Sequence, residues 1–122
     1  MGLQFENLVL NNRHLIHKAL NLHSKDIVND NPFFQRTTSK QHGCQIDYLI
    51  QTKHDTLHVC EIKFIKHVIG MEIINEVQKK INALNRPKGF SCRPVLIHVN
   101  GVSEDIIDND YFSAIIDMSK FL

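Results

Sequence analysis

Asp47, Glu61 and Lys63 are the residues of this chain whose types and spacing point most directly to chemistry. Asp47 lies in the apolar run 43–50 and Glu61 with Lys63 in the apolar run 57–64, and the polar residues Lys53, His54 and Asp55 stand between the two runs. Two short apolar runs joined by a few polar residues read as a β-hairpin. On the second strand, alternation places Leu57, Val59, Glu61 and Lys63 on one face and His58, Cys60, Ile62 and Phe64 on the other. Both faces are largely apolar, as in a central strand covered on two sides, and an unpaired charge buried there costs several kcal/mol by rough estimate. The hairpin brings Asp47 toward Glu61, and two neighbouring carboxylates repel unless a cation or a proton sits between them.

A hard divalent ion, magnesium or manganese, supplies that cation. Asp47, Glu61 and the carbonyl of Ile62 would hold it, with phosphate oxygens and waters completing an octahedral shell. Such an ion lowers the pKa of bound water and polarises a scissile phosphodiester, while Lys63 orients that water or offsets charge building on the phosphate. The plainer alternative is an Asp47–Lys63 or Glu61–Lys63 ion pair at a strand end. A bare Asp with a Glu-x-Lys triplet arises often by chance, but its placement on two adjoining apolar strands is far rarer.

The elements that must position these residues follow from periodicity. Phe5, Leu8, Val9, Leu15, Ile16, Ala19 and Leu20 recur at helical spacing and predict one amphipathic helix over residues 3–22. Polar residues 25–31 and Pro32 break it, and the aromatic and β-branched content of residues 33–39 predicts a strand. His42-Gly43 forms a turn, and strands over 44–52 and 56–64 complete an antiparallel meander. Ile73, Ile74, Val77, Ile81 and Leu84 predict a second helix over 70–86, stopped at Pro87 and Gly89. Pro94 opens a short strand at 95–99, residues 103–110 form a loop or helical turn, and 114–118 supply a last edge strand. The order α-β-β-β-α-β-β implies an α/β fold with a mixed central sheet flanked by helices, because a strand-helix-strand crossover usually makes a parallel pair.

Bulk properties narrow the function classes. The 122 residues, 43% apolar and 22% charged, fit one globular domain. No apolar stretch approaches the roughly 20 residues of a membrane helix and no signal peptide opens the chain, so a soluble, cytoplasmic protein is expected. Three irregularly spaced cysteines read as reduced core residues rather than a disulfide framework. His14 and His17 could share a helix face, but the absence of His-x-Glu and Cys-x-x-Cys patterns disfavours zinc. Between Lys63 and Arg93 seven bases face two acids, whereas from Pro94 onward one base faces five acids. The basic middle suits a phosphate backbone, although a solvated helix face is the commoner meaning of such a run.

Ile46-Asp47, the hairpin and Cys60-Glu61-Ile62-Lys63-Phe64 resemble the motif of the PD-(D/E)XK nuclease superfamily, with Ile46 where the motif's name has proline. The element order is similar to its restriction-endonuclease-like core. The resemblance implies Asp47 and Glu61 as magnesium ligands, Lys63 at the attacking water, and Glu6 on the first helix as an auxiliary ligand; an exposed helix acid is the alternative for Glu6. The stretch Gly2-Leu3-Gln4-Phe5-Glu6-Asn7-Leu8, together with Gly43, Ile46, Asp47, Leu49, Ile50 and residues 60–64, is similar to the C-terminal nuclease-like domain of certain prokaryotic P-loop (AAA-type) ATPases. Residues 1–122 are thus expected to be a single domain excised or truncated from such an ATPase, with no phosphate loop of its own. Lys66, Lys79 and Lys80 become expected nucleic-acid contacts. The implied activity is magnesium-dependent DNA hydrolysis; the alternative is a catalytically silent module for DNA docking or regulation of an attached ATPase, and a homodimer is a further expectation.

Overall fold

The computed structural model describes residues 2–121, with side chains for residues 4–120, so the Leu3 side chain, Met1 and Leu122 lie outside the described residues. The chain runs α1 (Gly2–Asn11), α2 (Arg13–Ala19), β1 (Ile27–Gln35), β2 (Cys44–Thr52), β3 (Thr56–Ile62), α3 (Glu72–Ala83), β4 (Ser91–His98), α4 (Glu104–Asn109) and β5 (Ala114–Asp117). The strands form one five-stranded sheet in sequence order. β1, β2 and β3 are an antiparallel meander, and β3, β4 and β5 pair in parallel. The mixed α/β sheet expected from the element order is the one observed.

Strand alternation sorts the core into two layers. Phe5 and Val9 of α1 and Ile16 of α2 pack with Tyr48, Ile50, Cys60, Ile62, Val95 and Ile97 on one face. On the other, Ile73, Val77, Ile81 and Leu84 pack with Ile46, Leu57, Val59 and Leu96. β3 is therefore covered on both sides, and every residue from Leu57 to Ile62 is buried. Its hairpin to β2 bends through His54 and Asp55, with φ of 68° and 57°, a left-handed region that His and Asp enter more readily than most residues.

Several boundaries differ from the sequence expectation, each for a local reason. The single helix over 3–22 divides at Asn12, whose side-chain amide donates to the Leu8 carbonyl at 2.9 Å; short polar side chains compete with helical backbone bonding in this way. β1 begins at Ile27, inside the polar stretch taken as a break, and ends at Gln35 rather than at 39. It is an edge strand whose polar side chains are used: Asn29 donates to Gln51 at 3.1 Å and Asp30 accepts from Tyr48 at 2.6 Å. β4 starts three residues before Pro94. Pro94 is tolerated there because its carbonyl accepts from Ser113 N, which points its missing N–H toward β5, and the β5 ladder begins only at Val95. Of the loop or helical turn expected over 103–110, the helical alternative is the one observed, over Glu104–Asn109.

The connection between β1 and β2 is clasped to the end of α3. Buried Gln35 donates to the carbonyls of His42 and Ala83, both at 2.7 Å, and accepts from Asn85 N at 2.8 Å. Gly43 closes the same loop, where an added Cβ would lie 2.7 Å from the Gln35 carbonyl oxygen. Arg86 caps α3 from beyond its end by donating to the carbonyl of Ile81 at 2.8 Å.

Candidate active site

A β-bulge positions Asp47. Asn31 pairs with Leu49 and Phe33 with Ile46, so Asp47 and Tyr48 together face the single residue Pro32. Proline has no N–H to lose, and bulges re-aim side chains near sheet edges. The extra residue switches the alternation: Ile46 packs on the α3 side and Tyr48 on the α1–α2 side. Asp47 turns to the end of β3, where its Oδ2 accepts from Ile62 N at 2.8 Å.

Glu61, one residue before that amide, is only 4% exposed on the α3 side of the sheet. Its Oε1 accepts from Lys80 Nζ of α3 at 2.7 Å, and its Oε2 lies 3.7 Å from Lys63 Nζ. Lys63 also reaches Glu76 of α3 at 3.5 Å. Burial raises the Glu61 pKa, against the opposing pull of the Lys80 bond. Burial, the largest single influence, would lower the Lys80 pKa, but the bond to Glu61 and the charges of Glu61, Asp47 and Glu76 together outweigh it and the net shift is upward. Glu6 approaches from α1, and burial followed by the adjacent Asp47 carboxylate raises its pKa, with Glu61 adding to the same effect.

The structure thus brings Glu6, Asp47, Glu61 and Lys63 into one electrostatic cluster and adds Lys80. Lys80 is no solvated helix base; it is committed to Glu61. Its position carried a readable signal, because residue 80 follows Ile73 by seven and Val77 by three and so falls on the buried stripe of α3. Lys66 and Lys79 are exposed, on the loop after β3 and on α3. Of the two histidines for which zinc was disfavoured, His14 is exposed, while His17 Nε2 bonds the buried Tyr48 hydroxyl at 2.7 Å. Tyr48 in turn donates to Asp30 at 2.6 Å, Arg13 donates to the Asp30 carbonyl at 2.7 Å, and these bonds pin α2 to β1 and β2. That network was not foreseen.

Among the described residues, no three His, Cys, Asp or Glu side chains stand close enough to hold a metal ion as placed. The chemistry of the donor set nevertheless fits a hard divalent cation. Burial and then the nearby Asp47 carboxylate raise the Glu6 pKa, and a divalent cation relieves the repulsion between paired carboxylates. It would compete with Lys80 for Glu61.

The sequence matches no protein-family model and no curated protein. Among solved structures it is similar to the crystal structure of a repair endonuclease from Pyrococcus abyssi, with a TM-score of 0.55 and 14% sequence identity. The match covers 91% of this chain and 43% of that one, so the chain spans less than half the length of that endonuclease. At this identity the likeness is one of fold. The fold is α/β and restriction-endonuclease-like, with its mixed sheet flanked by helices.

Proposed function

We propose that this domain hydrolyses DNA phosphodiesters with magnesium or manganese at a PD-(D/E)XK-type site. The observation that carries this is the bulge at Pro32, which delivers Asp47 to the end of the strand bearing Glu61, just before Lys63, within electrostatic reach of Glu6. A fold shared with a repair endonuclease supports the same reading.

Asp47, Glu61 and Glu6, with the Ile62 carbonyl, would hold the cation, which when bound polarises the phosphate and acidifies water. Asp47 is oriented by the Ile62 amide, so its second oxygen is left for a ligand. Lys63 Nζ, positioned between Glu61 and Glu76, orients the attacking water and offsets charge developing on the phosphate. Lys80 keeps the Glu61 carboxylate paired until a cation takes its place. Exposed Lys66 and Lys79 contact the DNA backbone. The domain works beside the ATPase of a parent protein, and pairing of two copies would cut both strands.

The test is cleavage of plasmid and single-stranded DNA during titration with magnesium or manganese, with Glu61→Ala as control. Metal-dependent cleavage lost in the variant supports the proposal. Cleavage that survives Glu61→Ala sinks the mechanism, and DNA binding without metal binding or cleavage assigns the domain to docking or regulation.

A further inference from the structure

Phe34 is 71% exposed, the most exposed of the large apolar side chains among the described residues and the one aromatic in that group. Its exposure follows from register. Phe33 pairs with Ile46 and packs on the α3 side, so Phe34 and its partner Gln45 project to the α1 side. There α1 covers β2 and β3 through Phe5 and Val9, and Phe34 is left at the rim of a cleft of about 260 Å³. Leu10 and Pro32 give the cleft apolar walls, Asn7 and Gln45 offer amides, and Glu6 and Asp47 of the candidate active site also line it. Among the described residues neither the Asn7 nor the Gln45 side chain has a hydrogen-bond partner that would occupy it.

We infer that this cleft binds one unstacked nucleobase of a single-stranded DNA segment, with the Phe34 ring as its stacking platform. The inference rests on the phosphodiesterase reading, since it places the base next to the phosphate that a cation at Glu6 and Asp47 would hold. Drug-sized ligands take clefts of about 300–1,000 Å³, so a smaller one suits a single flat ring system. Exposed aromatic rings bind bases without regard to sequence because every base offers a π-face, while amides can meet a base edge. The segment from Asn31 to Ile46 contains Arg36 and Lys40 and no acid, so the chain that leaves Phe34 carries positive charge only. A paired base cannot enter without leaving its stack, and duplex is therefore a poorer occupant.

The test uses the full chain with an oligothymidylate carrying one 2-aminopurine, first in EDTA and then with calcium, alongside the same probe in a matched duplex. Wild type is expected to quench the single-stranded probe and not the duplex. Phe34→Ala should weaken binding about five-fold or more, and Phe34→Trp should restore it. Binding and quenching indifferent to Phe34→Ala in both conditions, or no binding of the single strand, overturns the inference. So does a protein mass that rises with concentration and falls on Phe34→Ala without quenching, which assigns the ring to contact with a second copy. Phe34-dependent quenching without any cleavage would keep the cleft and remove the hydrolytic reading; cleavage without such quenching would do the reverse.

Discussion

Replacing Lys80 by methionine should expose how Glu61 is held. The Lys80 Nζ to Glu61 Oε1 distance is 2.7 Å, and the Glu61 side chain is 5% exposed. At an effective dielectric of about 20 the gross attraction is on the order of 5 kcal/mol, but the desolvation of Glu61 opposes it. Lys63, at 3.7 Å, also retains part of the compensation. A hydrogen bond to a charged group is worth about 1.5–3 kcal/mol net, and that is the expected coupling energy. It is measured by urea unfolding in EDTA at neutral pH of wild type, Lys80→Met, Glu61→Gln and the double variant. The Lys80→Met loss should exceed the loss on a Glu61→Gln background by that amount. Because a divalent cation at the proposed site would have to displace Lys80 from Glu61, Lys80→Met should also tighten manganese binding by the same free energy, about ten-fold to a hundred-fold. A coupling energy below about 0.5 kcal/mol, or manganese binding unchanged by the substitution, would refute the reasoning.

Glu6 and Glu61 have raised pKa values in the fold, so the stability they confer is full below the ordinary 4.5 and is lost as pH rises through their folded values. His58 and His98, whose pKa values are lowered by burial, act in the opposite sense below 6.5. The effect is therefore read as a difference: without metal, Glu6→Gln should gain on wild type as pH climbs above 4.5, and parallel curves would contradict the assignment. Gln35→Leu should cost about 1–3 kcal/mol by leaving the His42 and Ala83 carbonyls and Asn85 N short of a partner. Limited proteolysis should then cut within residues 36–43; resistance equal to wild type would show that the clasp does not hold the loop. Converting Lys66 and Lys79 to glutamine should lower the slope of log K for DNA against log salt by about 0.9 for each lost duplex phosphate contact, and an unchanged slope would remove these lysines from the DNA path.

Much of the site was legible because β3 is a period-two strand with charge at one end. Alternation alone put Glu61 and Lys63 on one face, and both layers of the core followed from strand and helix spacing. Asp47 was legible as a neighbour of Glu61 and a candidate ligand, but its bond from Ile62 N was not, because that depends on a bulge set by the register of β1. β1 itself was obscured by Asn29, Asp30 and Asn31, whose polarity reflects an edge strand with side-chain partners rather than a break in structure. Lys80 read as a nucleic-acid contact or a solvated base because charge on a helix usually means solvent, although its spacing from Val77 and Ile73 placed it beside the buried stripe, where it bonds Glu61. The Tyr48 network escaped notice for the complementary reason: a tyrosine in an apolar run reads as core until its hydroxyl's partners, Asp30 and His17, are brought to it by tertiary packing.

The central claim is tested most directly by the single-turnover cleavage rate of end-labelled DNA in magnesium, measured for wild type and Glu61→Ala. Loss of a metal-binding carboxylate removes several kcal/mol of transition-state stabilisation, so the variant should cut about a thousand-fold more slowly, with wild type brought to the same background by EDTA. Equal rates in the two proteins, or cleavage by wild type that persists in EDTA, would contradict the account.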